Sequence, residues 1–411
     1  MSHAASSGDE ASLKALKMYA RIILHKPRGG KSKILAAVSH RLQLWEDCEF
    51  DILLNEIDQY DTDRNAANSP SWSSFEDNRE KRVSEKCKVG ELAKGLMNAM
   101  SAAPFSGDPS RLNALHPHKP ATPVSLPPLP EGIDTPTTTP EDFYVAICSA
   151  SRATAQTSDG WYTDMLKDIN TRPCEDVPDP LYGIRKFCVM YASGGLPVSP
   201  ELYLTLSGSK IAALAKPGTD APRPVGIRGV FDRIGMRTLL KCQQADIAAH
   251  FGSQGEFGCG IEGVCQKLSW LFTLYKERHP AALQFWADVS NGYNEMRRTA
   301  IAEGLADMPP SLQWLRQSFA AFYSGDVVLY FQRDGDTYHV ISEIGTVQGD
   351  AASGIFFNAG LQRAFNQLRA EYPEALLAKY ADDVNGAVVG THDADGTALR
   401  VDIPEECVYW S

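Results

Sequence analysis

The chain has no Cys-x-x-Cys pair, no apolar run approaching eighteen residues and no overall excess of positive charge. Each absence excludes something. Nine cysteines are scattered at 48, 87, 148, 174, 188, 242, 259, 265 and 407. Neither a zinc ribbon nor a disulfide framework is expected from them, and the thiols should be reduced, as inside a cell. Without a long apolar run no membrane span is predicted. The N-terminal string MSHAASSGDEASLKALK lacks the apolar stretch of a secretory leader, so the expected location is intracellular, with nucleus and cytoplasm both open. A net charge of −11 argues against indiscriminate wrapping of nucleic acid. That average hides a local excess, because residues 207–243 hold seven Lys/Arg against two Asp.

What is present is enough for a large core: 411 residues, 43% apolar and 22% charged, room for two or three domains. Residues 1–103 read as a helical N-terminal region. Apolar side chains recur at helical spacing over Ser12–Leu24 and again over Ile34–Ile57, with Trp45 and Phe50 on the apolar side. Between them His25–Lys33 contains Gly-Lys-Ser. The first glycine of a phosphate-binding loop would fall on His25, so that reading fails. A basic turn that touches nucleic-acid phosphate, or a plain solvated turn, remains. Residues 104–140 hold ten of the 25 prolines, which predicts a linker or extended strap with neither helix nor central strand. Within it, His116 and His118 are expected to face solvent.

The chemistry concentrates near the end. In Leu376–Gly390 two apolar strands flank the adjacent carboxylates Asp382 and Asp383, which predicts a β-hairpin tipped by both. A plain acidic turn is the bland alternative. About ninety residues upstream, the apolar strand Leu283–Asp288 delivers Asp288 to its end just before a helix starting near Asn294. There the bland alternative is a helix cap. Taken together, the three carboxylates are the set that two Mg²⁺ ions need, with Mn²⁺ as the alternative ion. Such a pair, about 4 Å apart, activates an attacking hydroxyl and stabilises a leaving pyrophosphate.

At this point the sequence resembles a known family. Asp288 with Tyr293 is similar to motif A of reverse transcriptases, Gln348-Gly349 within Gly345–Phe357 to motif B, and Tyr380-Ala-Asp-Asp383 to motif C. Ala215–Val225 resembles the fingers motif that carries a lysine and an Arg-Pro pair. Gln254–Gly263 resembles the glycine-rich segment before motif A in non-LTR retrotransposon enzymes, and Ser158-Asp-Gly-Trp161 their Pro-Asp-Gly element. These elements stand in the family's order over about residues 140–390.

The resemblance implies roles. Asp288 and Asp382 would bridge both metals, with Asp383 beside them. The Tyr293 ring would lie beneath the sugar and exclude a 2′-hydroxyl. Gln348 and Gly349 would let the backbone approach nucleotide and template, and Lys216 and Arg223 would neutralise the triphosphate. The implied partners are an RNA template, a DNA primer and dNTPs. The implied fold is α+β, a right-hand polymerase with fingers over 141–281 and an antiparallel palm sheet over 282–411, backed by helices near 294–306 and 351–371. Asp334-Gly335 is expected to turn a hairpin within that sheet.

Departures from the family pattern exist. Gly354 stands where proline is common, and Asn294 follows the gate position where an acid sometimes stands. The 28 residues after Asp383 contain no lysine, so the family's motif D lysine, primer grip and thumb have no counterpart there. The expectation is a truncated palm, the fingers and palm of a longer enzyme. RNA-directed DNA polymerase is the leading function. The rivals are an RNA-templated RNA polymerase, and a decayed or domesticated element that binds nucleic acid without polymerising.

Overall fold

The computed structural model describes residues 9–24, 31–67, 80, 83–84, 105, 107–108, 110–118, 128–129, 132–150, 160–173, 179, 181–215, 222–256, 259, 264–289, 291–333, 336–380 and 383–389. The basic turn at 25–30 and the Asp334-Gly335 turn lie outside these residues. No helix among the described residues is long and apolar enough to cross a membrane.

The apolar periodicity of the N-terminal region folds as three helices, Glu10–Ile23, Lys31–Glu46 and Phe50–Ala67. The continuous pattern expected over 34–57 is therefore broken. Cys48 takes the left-handed conformation, with φ 61°. The Glu49 and Cys48 amides return to the Leu44 and Trp45 carbonyls at 2.9 and 3.2 Å. That pair of bonds is the Schellman closure of a helix C-terminus, and Trp45 and Phe50 meet edge to face across it at 5.3 Å. The first helix serves two cores. Leu13 and Ala20 belong to the main cluster, while Ile22 and Ile23 pack with Leu53 and Ile57. Trp161 reinforces the first of these, donating its indole N–H to the Leu16 carbonyl at 3.1 Å and tilting onto Phe231 at 4.9 Å.

The proline-rich strap departs from expectation in two ways. It contains a helix, Ser110–Ala114, placed in the gap between Pro109 and Pro117 where no proline removes a backbone donor. His116 is buried, with Nδ1 2.8 Å from the Leu112 carbonyl, and burial lowers its pKa. Only His118 is solvent-facing, paired with Glu343. The strap is fastened at several points. Phe105 N–H donates to Ala213, Arg316 to the Pro128 carbonyl and Arg185 to the Thr138 carbonyl. It ends in a capping box, in which Thr139 and Asp142 exchange backbone and side-chain hydrogen bonds to start the helix Pro140–Ser149.

Two sheets follow. β1 (Ser209–Ala215), β2 (Pro222–Ile227), β4 (Val327–Arg333) and β5 (Asp336–Ser342) form one, in the order β2-β1-β4-β5. β2 is its edge strand, which is where Pro222 and Pro224 can be accommodated. β3 (Leu283–Asp288), β6 (Leu376–Tyr380) and β7 (Asp383–Val388) form the other, antiparallel in the order β3-β7-β6. The β4–β5 hairpin was expected within the palm sheet. It instead joins β1 in parallel through Ser209 and Lys210. The outer edge of β6 is already taken, because Lys379 N–H donates to Gly255 and Glu256 bridges to Lys379. The expected backing helices appear as Gly292–Glu295, Arg298–Ala306 and Ser353–Glu371.

Candidate active site

β3 and β7 pair so that Leu283 faces Val388 and Asp288 faces Asp383. β6 and β7 close with Tyr380 opposite Asp383, leaving Ala381 and Asp382 as the connection. Directly opposed antiparallel residues have Cα atoms about 4.5–5.5 Å apart. The register therefore brings Asp288 and Asp383 together at one end of the sheet, with Asp382 next in the chain. Asp382 itself, and the side chain of Asp288, lie outside the described residues, and Asp383 is exposed. Among the described residues no group of three or more His, Cys, Asp or Glu could hold a metal ion.

Beyond Asp288 the backbone turns sharply. Asn291 adopts φ 53°, a conformation asparagine tolerates better than most residues. Its amide is held by the Leu115 carbonyl at 2.9 Å and Glu295 at 2.8 Å, and its carbonyl oxygen accepts from the buried Asn294 at 2.7 Å. This turn carries Tyr293 into the helix Gly292–Glu295. The Tyr293 ring lies tilted on Phe357, centroids 5.0 Å apart, and a Cβ at Gly354 would sit 4.0 Å from its hydroxyl. Glycine at 354 thus leaves open space beside the ring.

Residues 345–350 are fixed on two sides. Thr346 N–H donates to the Tyr293 carbonyl, and Gly226 N–H to the Gln348 carbonyl, both at 2.6 Å. Gly349 has φ 103°, and a Cβ there would fall 2.6 Å from the Gly226 carbonyl. Two glycines meeting backbone to backbone are what let the turn dock on β2. Gln348 is half-buried and Gly349 exposed. β2 also carries Arg223, exposed and opposite Leu214. Arg223 thus sits on the four-stranded sheet and the carboxylates on the three-stranded one, and the 345–350 turn bonds both β2 and Tyr293. Lys216 directly follows the last residue of β1 and lies outside the described residues.

Two buried charge clusters flank these elements, and sequence reasoning singled out neither. In the first, Arg228 Nε lies 2.9 Å from Asp350 Oδ2 and 3.5 Å from Asp232 Oδ2, with its guanidinium 4.8 and 5.0 Å from the Phe322 and Tyr323 ring centres. Tyr323 donates to Asp350 at 2.7 Å and accepts from Val347 N–H at 3.2 Å. Asp350 Oδ1 accepts from Ala352 N–H at the start of the Ser353–Glu371 helix. Burial pushes the Asp232 carboxyl up to about 7, against the pull of Arg228. In the second cluster, Lys379 Nζ donates to Gln362 at 2.9 Å, stands 3.9 Å from Glu256 and lies over the Phe365 ring. Burial lowers this ammonium to about 8, with Glu256 and Cys259 opposing. A lysine inside Leu-Leu-Ala-Lys-Tyr and an Asp four residues after Arg228 were the visible signals.

No protein-family profile matches the chain, and no curated protein matches it. Solved structures give weak and partial likenesses. Telomerase from Candida albicans, in complex with a fragment of telomeric RNA, shares 12% identity over 44% of this chain and 38% of that one, with a TM-score of 0.32. Apo telomerase from Candida tropicalis, truncated from its C-terminal domain, shares 11% over 46% and 44%, with a TM-score of 0.33. The 3Dpol RNA-dependent RNA polymerase of a sicinivirus shares 14% over 70% and 59%, with a TM-score of 0.32. The chain spans less than two thirds of the length of each of these proteins.

Proposed function

We propose that this chain carries out template-directed nucleotidyl transfer as an RNA-directed DNA polymerase of the non-LTR retrotransposon kind, extending a DNA primer on RNA with dNTPs. The observation that carries the reading is the strand register: Asp288 at the end of β3 is opposite Asp383 at the start of β7. Asp382 precedes Asp383 in the connection, so three carboxylates belong to one sheet end. The donor set is carboxylate only, without thiolate or imidazole, which fits hard cations such as Mg²⁺ or Mn²⁺. Asp288 and Asp382 would hold both ions, with Asp383 beside them. Bound there, a cation pair lowers the pKa of the attacking 3′-hydroxyl and offsets the charge leaving with pyrophosphate.

The chain's own residues supply the rest. Tyr293, five positions beyond Asp288 and backed by Phe357, offers a flat ring that excludes a 2′-hydroxyl. Gln348 and Gly349, held against Gly226, let the backbone approach the base pair being formed. Arg223 can grip a phosphate with two donors and Lys216 with one point charge.

Single-nucleotide incorporation by the full chain, on an RNA template with a DNA primer and Mg²⁺, tests this. Asp383→Asn should lower the rate by at least about a hundredfold, since charge stabilisation of the reacting phosphate is worth several kcal/mol. Tyr293→Ala should narrow the preference for dNTP over rNTP roughly tenfold, about 1.4 kcal/mol of lost discrimination. A wild type that prefers rNTPs would favour the RNA-templated RNA polymerase. Incorporation that survives Asp288→Asn and Asp382→Asn, the two residues that would hold both ions, removes the carboxylates from the mechanism.

A further inference from the structure

We propose that Arg228, Asp350 and Tyr323 are positioning residues that set where Gln348 stands, and so set nucleotide affinity without touching nucleotide. This deepens the polymerase reading and rests on it.

The geometry is as follows. Gln348 sits in a turn whose backbone would have to approach the incoming nucleotide. One face of that turn is fixed by β2, through the 2.6 Å bond from Gly226 N–H to the Gln348 carbonyl. The N-terminal end of the turn is held by Thr346 N–H on the Tyr293 carbonyl, and Val347 beside Gln348 is held by one hydroxyl, because Tyr323 accepts from Val347 N–H at 3.2 Å while donating to Asp350 at 2.7 Å. Asp350 in turn has each carboxylate oxygen committed. Oδ1 accepts from Ala352 N–H at 3.1 Å, and Oδ2 accepts from the Tyr323 hydroxyl and is ion-paired with the Arg228 guanidinium.

Arg228 joins these to β2, since it follows the strand by one residue and is 1% exposed. Arg228, Asp350 and Tyr323 are thus three buried side chains from three separate elements, meeting under the two residues on either side of Gln348-Gly349. A cluster needed only for core stability could be apolar, as buried ion pairs are often replaced without loss. Here the Tyr323 hydroxyl and the Asp350 carboxylate both bond the residues around one turn, while Arg228 also reaches Asp232 and the Ser207 carbonyl and the aromatic rings of Phe322 and Tyr323 flank its guanidinium.

Because removing Arg228 leaves two carboxylates buried without a cation, the test uses the smallest available cut. Tyr323→Phe keeps the ring and removes only the hydroxyl, so Val347 N–H and Asp350 lose one partner each. Amide exchange at Val347 and Gln348 should quicken. The KM for dNTP should rise roughly tenfold with kcat within about twofold, the pattern of lost ground-state binding without lost chemistry. Asp350→Asn, which keeps a carbonyl for Ala352 N–H, should move KM in the same direction. Arg228→Lys, which keeps charge beside Asp350 but not the fork, should leave KM between wild type and Tyr323→Phe. A lowered melting temperature with unchanged KM in both Tyr323→Phe and Asp350→Asn would overturn the inference, leaving the cluster a plain stabilising element. A wild type that neither binds nor incorporates nucleotide overturns this inference and the polymerase reading together. An active wild type with unmoved KM in the variants overturns this one alone.

Discussion

Arg228 and Lys379 are both cations with almost no exposed surface, at 1% and 0%, one beneath the 345–350 turn and the other behind the acidic hairpin. Their surroundings differ in one respect. Arg228 stands between two carboxylates, Asp232 and Asp350. Lys379 has a single carboxylate, Glu256, and at the longer distance of 3.9 Å. A guanidinium does not give up its proton in a protein, so in the first cluster burial is relieved on the acid side. Asp232 is the group displaced, up to about 7. An ammonium can give up its proton, and in the second cluster it is the lysine that moves, down to about 8. Which partner yields in a buried cluster is therefore set by which one can be neutralised, and by how many opposite charges face it.

The comparison can be broken most forcefully at Arg228. Arg228→Met should cost about 3–5 kcal/mol in urea unfolding, because it leaves two carboxylates buried with no cation between them. A loss below about 1 kcal/mol, the value of an exposed pair, would mean that the cluster relaxes freely. The second cluster should behave differently. Lys379→Met with Glu256→Leu, which removes both charges at similar volume, should be neutral or stabilising by up to about 1–4 kcal/mol, while Lys379→Met alone destabilises. No such pairwise removal is open at Arg228 and Asp350, where Asp350 also serves Ala352 N–H and Tyr323. Equal damage from Arg228→Met and from Lys379→Met with Glu256→Leu would erase the distinction.

The finest discrimination is by pH. Asp232 is raised in the folded state from 3.8 to about 7, so between those values the folded chain holds a proton that the unfolded chain does not. Its contribution is full below about pH 4 and is lost as pH rises through 7, with a slope of up to about 1.4 kcal/mol per pH unit. Lys379 is lowered from 10.5 to about 8, so there the unfolded chain holds the extra proton and stability rises as pH goes from 8 towards 10.5. Asp232→Asn should flatten the acid-side slope and leave the alkaline one. Lys379→Met should do the reverse. Chemical unfolding at half-unit steps of pH reads both, and a variant that changes both slopes would show that the clusters are coupled.

Some of this molecule was legible in its sequence. The apolar strand ending in Asp288 and the hairpin at 376–388 were, because apolar runs that stop at carboxylates mark strand ends; the register that sets Asp288 opposite Asp383 was not. The β4–β5 hairpin was legible as a hairpin, since Asp-Gly dictates the turn. Its sheet was not, because β4 pairs with β1 through Ser209 and Lys210, more than a hundred residues upstream. The helix break at Cys48 was hidden because cysteine carries none of the left-handed preference that glycine or asparagine would have signalled. Arg228 and Lys379 were visible as charges in apolar surroundings. Their partners Asp350 and Glu256 lie more than a hundred residues away, and nothing local connects them. The candidate site was therefore readable in its motifs and unreadable in its supports.

The register that joins β3 to β7 also has a consequence for synthesis. β3 is complete almost a hundred residues before its partner strand exists, and translation at roughly 5–20 residues per second makes that a delay of roughly 5–20 seconds. During the delay Arg298 can already gather the Tyr323, Gly325, Ser342 and Gly345 carbonyls, all within fifty residues of it. β3 has no such early partner, and even in the finished fold Leu283 and Trp286 are 54% and 79% exposed. A strand of that composition waiting on the ribosome with both edges open is prone to self-association. Interrupting translation between residues 300 and 375 should leave chains that aggregate through Leu283–Asp288, and β7 is what covers one of the two open edges.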